Sequence, residues 1–163
     1  MIDTMNFWID GTPDELKKTL TLVDLIVIND SEARELSKEF NLVLAAKKIM
    51  ELGPKIIIIK KGEHGALLFT ENTIFSAPAF PLEQVFDPTG AGDTFAGWFM
   101  GWISKTDNLS DDNLKLAVIY GSTMASLAVE KFSLDGIRDL DKKTIMKRFD
   151  EFKKLTHFET GSI

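Results

Sequence analysis

The chain of 163 residues contains no cysteine. That excludes disulfides, thiolate metal sites and a cysteine nucleophile within it, and it fits a reducing compartment. No apolar run approaches the ~20 residues needed to cross a bilayer, and the first residues lack the charged and apolar regions of a secretory signal, so the expected setting is the cytoplasm, with no membrane partner. Basic residues are the minority: 19 Lys and Arg against 25 Asp and Glu give a formal charge of -6. Neither nucleic-acid phosphates nor anionic lipids attract such a surface, so no nucleic-acid partner is expected. A Gly-x-x-x-x-Gly-Lys-Ser/Thr loop is also missing, which leaves a P-loop NTPase without support. Repeats, low-complexity tracts and Pro/Gly/Ser linkers are absent too, and the chain reads as one unit.

What is present is an alternation of short apolar runs and amphipathic stretches. Residues 25–28 (Leu-Ile-Val-Ile) and 56–59 (four isoleucines) have the unbroken pattern of parallel strands covered on both faces. Residues 1–9 read as the tail of a strand and its exit loop, an abrupt start that suggests upstream sequence. Asp3 and Asn6 there either face a ligand or are ordinary loop polarity. Thr12-Pro13-Asp14-Glu15 reads as a helix start, with Thr12 as cap, Pro13 at the first position and Glu15 closing a capping box; this helix runs to about residue 22. Residues 35–40 and 42–52 read as helical, the second with a stripe of Leu42, Leu44, Ala45, Ile49 and Met50, ended by Gly53-Pro54. Lys60-Lys61-Gly62-Glu63-His64-Gly65 is a glycine-punctuated turn, predicted to make a hairpin with residues 66–69. A further short strand falls at 73–77. Pro78 and Pro81 then fix a loop before 82–86, a run read as the strand that delivers Asp87. Ser110 caps a long helix to about residue 132, with Leu114, Leu116, Ala117, Ile119 and Tyr120 as core candidates. Asp141 caps a last helix in which Ile145, Phe149 and Phe152 recur at helical spacing. His64 and His157 have no Ser, Cys or second His to work with, and residues 156–163 carry no pattern. Strands alternating with helices in this way predict an α/β domain with a largely parallel sheet, and ligands of such sheets bind beyond the C-terminal ends of the strands.

The most informative stretch is Asp87-Pro88-Thr89-Gly90-Ala91-Gly92-Asp93-Thr94-Phe95, a small-residue turn that opens a strongly apolar segment. Gly90, Ala91 and Gly92 let backbone N–H groups approach an anion closely, with the positive end of a helix dipole behind them. Asp93 is out of place on a pure anion site, since a carboxylate there repels the anion unless it has a proton to accept. A second motif, Asn29-Asp30-Ser31-Glu32, follows the first apolar run. By itself it reads as a helix N-cap with a reciprocal Glu.

Together these motifs resemble the ribokinase-like, or PfkB, carbohydrate kinases. Asp-Pro-Thr-Gly-Ala-Gly-Asp-Thr-Phe-Ala-Gly matches that family's second signature, apart from Trp98, which stands where the family usually has Gly or Ala. The resemblance covers most of the chain from Leu25 onward and corresponds to the family's C-terminal, nucleotide-binding half. It implies a ribokinase-like, Rossmann-like three-layer α/β sandwich with a mostly parallel sheet, spanning 1–163 as the ATP-binding and catalytic part, with the N-terminal half and lid absent. It also implies transfer of the ATP γ-phosphoryl group to a sugar or nucleoside alcohol. In that scheme Asp93 is the base, and Gly90, Ala91 and Gly92 form the anion hole. Asn29 and Glu32 hold Mg²⁺, partly through water. Lys60, Gly62, Gly65, Thr89 and Ser122 join Gly90 and Gly92 as nucleotide contacts, and Asp87 takes a monovalent cation such as K⁺, as in some relatives. Gly62 and Gly65 equally read as plain turn chemistry. The small residues Gly121, Ser122, Ala125 and Ser126 admit either an adenine ring or a closely packed helix. The motifs are expected to converge at one edge of the sheet. A half-sheet with an apolar edge predicts pairing, as a homodimer or with the missing half. A non-enzymatic nucleotide-binding or interaction module is the rival reading.

Overall fold

The computed structural model describes residues 1–157, so residues 158–163 of the tail lie outside the described residues. The chain divides into two compact units, Met1–Ala77 and Pro78–Ile163.

The first unit is a five-stranded sheet with helical crossovers, its strands lying in the order β1 (Ile2–Asp3), β2 (Leu25–Asn29), β3 (Ile56–Lys60), β4 (Ala66–Phe69) and β5 (Ile74–Ala77). The β1–β2 and β2–β3 pairings are parallel, and the next two are antiparallel, so β4 alone runs against the other four. Helices α1 (Asn6–Gly11) and α2 (Pro13–Leu20) make the first crossover, and α3 (Asp30–Ser37) and α4 (Leu42–Met50) the second. Ile26 and Ile28 pair in register with Ile57 and Ile59. These four point to one face and pack with Phe69 against Ile9, Leu16, Leu20, Ala33, Ala46 and Ile49. Each isoleucine removed from water in this way contributes roughly 1.5–3 kcal/mol. The opposite face, Leu25, Val27, Ile56, Ile58 and Leu68, is buried as well. That double burial is why β2 and β3 show no alternation in sequence.

The expected hairpin forms between β3 and β4 around a 3-10 turn at Gly62–His64. Other expectations are corrected. Residues 6–11 are helical rather than an exit loop, because Ile9 reaches the core while Phe7 and Trp8 stay exposed. Thr12 makes no side-chain cap, and no capping box with Glu15 forms. Its backbone instead closes α1 by donating to the Trp8 carbonyl, and α2 starts on Pro13 alone. In α4 the buried row is Ala45, Ala46 and Ile49, and Leu44 turns outward, 49% exposed.

The second unit holds α5 (Ala91–Thr106), α6 (Asp111–Ala128) and α7 (Lys142–Thr156). Residues 82–86 form no strand. Pro78, Pro81 and Pro88 lack the N–H that a ladder requires, and the segment is held by the Val129 carbonyl, which accepts from Phe86 N (2.8 Å) and Asp87 N (3.3 Å). Helix α6 ends at Ala128, earlier than expected, and its N-cap residue Ser110 makes no side-chain cap. Leu114, Ala117 and Val118 form its buried row, with Leu116 outside at 42% exposure. Asp141 does cap α7, accepting from Thr144 N at 2.7 Å. Trp102, Tyr120 and Phe149 stack across the three helices at centroid spacings of 4.2 and 4.5 Å.

Gly121 sets the spacing of α5 and α6. A Cβ there would lie 2.9 Å from the Phe95 carbonyl oxygen and 3.0 Å from its ring. Gly121→Ala is therefore expected to destabilise the protein by roughly 1–3 kcal/mol through overpacking against backbone. A urea midpoint that matches the unmodified protein would contradict this packing.

Candidate active site

The first unit gathers four polar side chains at the C-terminal ends of its parallel strands. Asp3 closes β1, Asn29 closes β2 and Lys60 closes β3, while Glu32 sits in the first turn of α3. Asp3 and Lys60 form an ion pair of 3.2 Å. The capping box read from the sequence is complete: Asn29 Oδ1 accepts from Glu32 N at 2.8 Å, and Glu32 Oε2 accepts from Asn29 N at 3.1 Å. Asn29 Oδ1 also accepts from the Ser31 hydroxyl at 2.7 Å, which fills both of its lone pairs. Asn29 is therefore committed to orienting Glu32. Glu32 as a residue is 7% exposed, and the second oxygen of its carboxylate makes no hydrogen bond among the described residues. Burial pushes its pKa up, against the opposing pull of the Asn29 N–H and Lys60 and with the Asp3 charge adding to the rise. A desolvated carboxylate with an open oxygen suits a hard cation that keeps several waters, so the donor set fits Mg²⁺ through Glu32. Asp3 completes this cluster through Lys60, and the signal that marks it in sequence is a carboxylate at a strand's C-terminal end. The neighbouring Gly62 and Gly65 have φ of 56° and 85°. Both are required by the turn itself.

The second unit carries the signature loop. Asp87 Oδ1 accepts from Thr89 N (3.0 Å) and Oδ2 from Ser133 N (3.2 Å). Hydrogen bonds from Thr89, then from Ser133, hold its carboxyl below the usual range. The Ala91 N–H turns back to the Pro88 carbonyl (3.2 Å), so it is engaged within the loop. Gly90, at φ 77°, is the N-cap of α5 and supplies no side-chain cap. The Gly92 and Asp93 amides consequently have no acceptor among the described residues, and they sit at the positive end of a 16-residue helix. Of the expected anion-hole residues, Ala91 has its N–H engaged and Gly92 has its N–H open. Asp93 is exposed, and its carboxylate makes no hydrogen bond or ion pair among the described residues. Thr89 lies in the loop, exposed, with its N–H given to Asp87.

On α6 the small residues have separate duties. Gly121 packs under Phe95, and Ser126 is buried and bonded to Arg148 and the Thr123 carbonyl. Ser122 remains half-buried. Trp98 of α5 is 42% exposed. No described helix is long and apolar enough to cross a membrane, and no group of three or more His, Cys, Asp or Glu suited to a metal occurs among the described residues.

The model of the pfkB family carbohydrate kinases matches residues 4–139. The chain belongs to this family. It is similar to a ribokinase of Staphylococcus aureus, at 35% identity over 73% of this chain and 38% of that one. Among solved structures it resembles the aminoimidazole riboside kinase of Salmonella enterica, complexed with aminoimidazole riboside and an ATP analogue, with a TM-score of 0.75 and 25% identity over 86% of this chain and 46% of that one. It also resembles a putative ribokinase II of E. coli in complex with ATP and Mg²⁺, with a TM-score of 0.70 and 25% identity over 91% and 45%. The fold is thus the ribokinase-like α/β fold expected from the sequence. The chain spans less than half the length of these relatives.

The Glu32 environment gives a signed pH effect. A carboxyl whose folded pKa lies above its unfolded value stabilises the fold at low pH and loses that contribution as pH rises through the folded pKa. Glu32→Gln keeps an acceptor for Asn29 N without the charge. The variant is expected to be at least as stable as the parent at pH 7, with the difference vanishing near pH 4. Denaturant titrations at the two pH values check this, and a clear loss of stability at pH 7 would contradict it.

Proposed function

We propose that this chain is the nucleotide-binding and catalytic portion of an ATP-dependent kinase that phosphorylates an alcohol of a small sugar or nucleoside. The observation that carries this reading is the start of α5, where two amides lie open beside an uncommitted carboxylate. A non-catalytic anion site gains nothing from Asp93, because its charge opposes the ligand. A phosphotransferase does gain, since the attacking hydroxyl needs orientation and a proton acceptor while the phosphoryl group needs charge stabilisation. Glu32, oriented by Asn29, would hold Mg²⁺ through its open oxygen and through water, and the ion would neutralise phosphate charge. Gly92 and Asp93 N–H, with Gly90 and Ala91 shaping the turn, would bind the transferred group's oxygens. Lys60, Gly62, Gly65, Thr89 and Ser122 are proposed nucleotide contacts. Asp87 keeps lone pairs beyond its two hydrogen bonds, enough to serve K⁺ as well. The sugar-selecting residues would come from chain beyond this portion or from a second copy, and the work would be cytoplasmic.

In the protein's full chain, Asp93→Asn is expected to lower kcat by at least about 10³-fold while ATP affinity changes little, since general-base action contributes typically 10²–10⁴-fold. Near-normal turnover would remove Asp93 from the role. On the chain described here, calorimetry is expected to show ATP binding that depends on Mg²⁺ and weakens in Glu32→Ala. A folded chain that ignores ATP would favour the non-enzymatic reading.

A further inference from the structure

Among the described residues of the second unit, Arg148 of α7 is engaged by four partners. It is 13% exposed and uses its whole guanidinium: Nη2 donates to Glu130 Oε1 (2.6 Å), Nη1 to Ser126 Oγ (3.0 Å) and Nε to Glu151 Oε2 (3.1 Å). Its flat face lies over the Phe80 ring, with Cζ 4.2 Å from the centroid. Two of these partners, Ser126 and Glu130, flank the C-terminal end of α6. A third, Glu151, lies on α7 itself, and the fourth, Phe80, lies in the segment that leads to the signature loop.

The end of α6 is where that loop is anchored. Helix C-termini leave carbonyls without intrahelical partners and fray unless something holds them. Here the Val129 carbonyl, one residue before Glu130, accepts from the Phe86 and Asp87 N–H groups, and Ser133 N donates to Asp87 Oδ2. Asp87 in turn fixes Thr89, the residue before Gly90. Ser133 adopts φ 53°, a left-handed conformation that costs a non-glycine residue energy and persists only where surroundings enforce it. Gly136 is pressed onto the same corner: a Cβ there would lie 2.6 Å from the Leu127 carbonyl oxygen. The corner is therefore close-packed from below and clamped from the side by Arg148. A guanidinium at a helix C-terminus is also favoured by the helix dipole.

We propose that Arg148 is a positioning residue for the α5 anion site, acting through the end of α6 and through Phe80 to set the Asp87–Thr89 turn that aims the Gly92 and Asp93 amides. This rests on the kinase reading for its consequence in turnover, but not for its structural content. Arg148 touches neither the loop's open amides nor Asp93.

Hydrogen exchange on the chain described here tests the structural part without any activity. In Arg148→Met the amides of Phe86, Asp87, Thr89 and Ser133 are expected to exchange roughly tenfold faster, with the amides of Ile57, Ile58 and Ile59 unchanged, because local opening does not reach the central strands. Arg148→Lys, which keeps the charge near Glu130 but not the fork, should fall between. Unchanged exchange at the four amides would overturn the proposal. A uniform acceleration that includes β3 would overturn it too, leaving Arg148 as a general stabiliser. Where Arg148→Met does not fold, Glu130→Ala removes the shortest of the contacts and is read in the same way. In the full chain, at a temperature well below unfolding, Arg148→Met is expected to lower kcat roughly tenfold with KM for ATP within about twofold, the pattern of an interaction expressed in the transition state. Unchanged kcat despite faster exchange would sever the link to turnover. No turnover in the parent protein would strike the kinase reading alone and leave exchange to decide the role of Arg148.

Discussion

The arrangement of the second unit depends on a reciprocal exchange of unpaired backbone groups. The C-terminal end of α6 has a carbonyl to spare at Val129, and the Pro-rich approach to α5 has amides that no strand can take. Each satisfies the other. A backbone hydrogen bond of this kind contributes about 0.5–1.5 kcal/mol net, so the pairing helps to fix the approach segment. Asp87 extends the same logic by bridging Thr89 and Ser133. Only after these anchors does Gly90 turn left-handed, leaving the Gly92 and Asp93 amides open.

The two helix starts beside the candidate chemistry solve the same problem in opposite ways. At α3 the orphan donors are satisfied by a full capping box, and the by-product is a carboxylate held immobile, buried and half-coordinated. At α5 no side chain caps, and the by-product is a pair of open donors. A buried anion wants a cation, and open N–H groups at a helix start want an anion. Those demands arise from how each helix begins rather than from any single reactive residue.

Much of this was legible in the sequence because the deciding constraints are local. The isoleucine run of β3 needs only its own composition to declare burial on both faces, and Asn29 with Glu32 three residues later specifies its cap without tertiary help. Gly90 before an apolar helix is likewise a short-range signal. What the sequence did not disclose depends on partners far along the chain. Thr12 looks like a cap, but its backbone is needed to close α1. Residues 82–86 look like a strand, yet the acceptor for Phe86 N lies on Val129, 43 positions away. Leu44 and Leu116 fit helical stripes whose phase is set by which neighbour claims the helix, and both fall outside it. Arg148 gives no sign of its role, since its partners at Ser126, Glu130 and Phe80 share no spacing that a sequence pattern could show.

The Asp3–Lys60 pair completes the charge logic of the first unit. Two carboxylates, Asp3 and Glu32, stand at adjacent strand ends with one ammonium near both, and the ammonium is bonded to the less buried of the two. Lys60 therefore moderates the repulsion without occupying the Glu32 oxygen that remains open. Had Lys60 bonded Glu32 directly, the pair would be self-satisfied and a divalent ion would have to displace it. Because Asp3 holds the lysine instead, Glu32 keeps one oxygen free of any ion pair among the described residues.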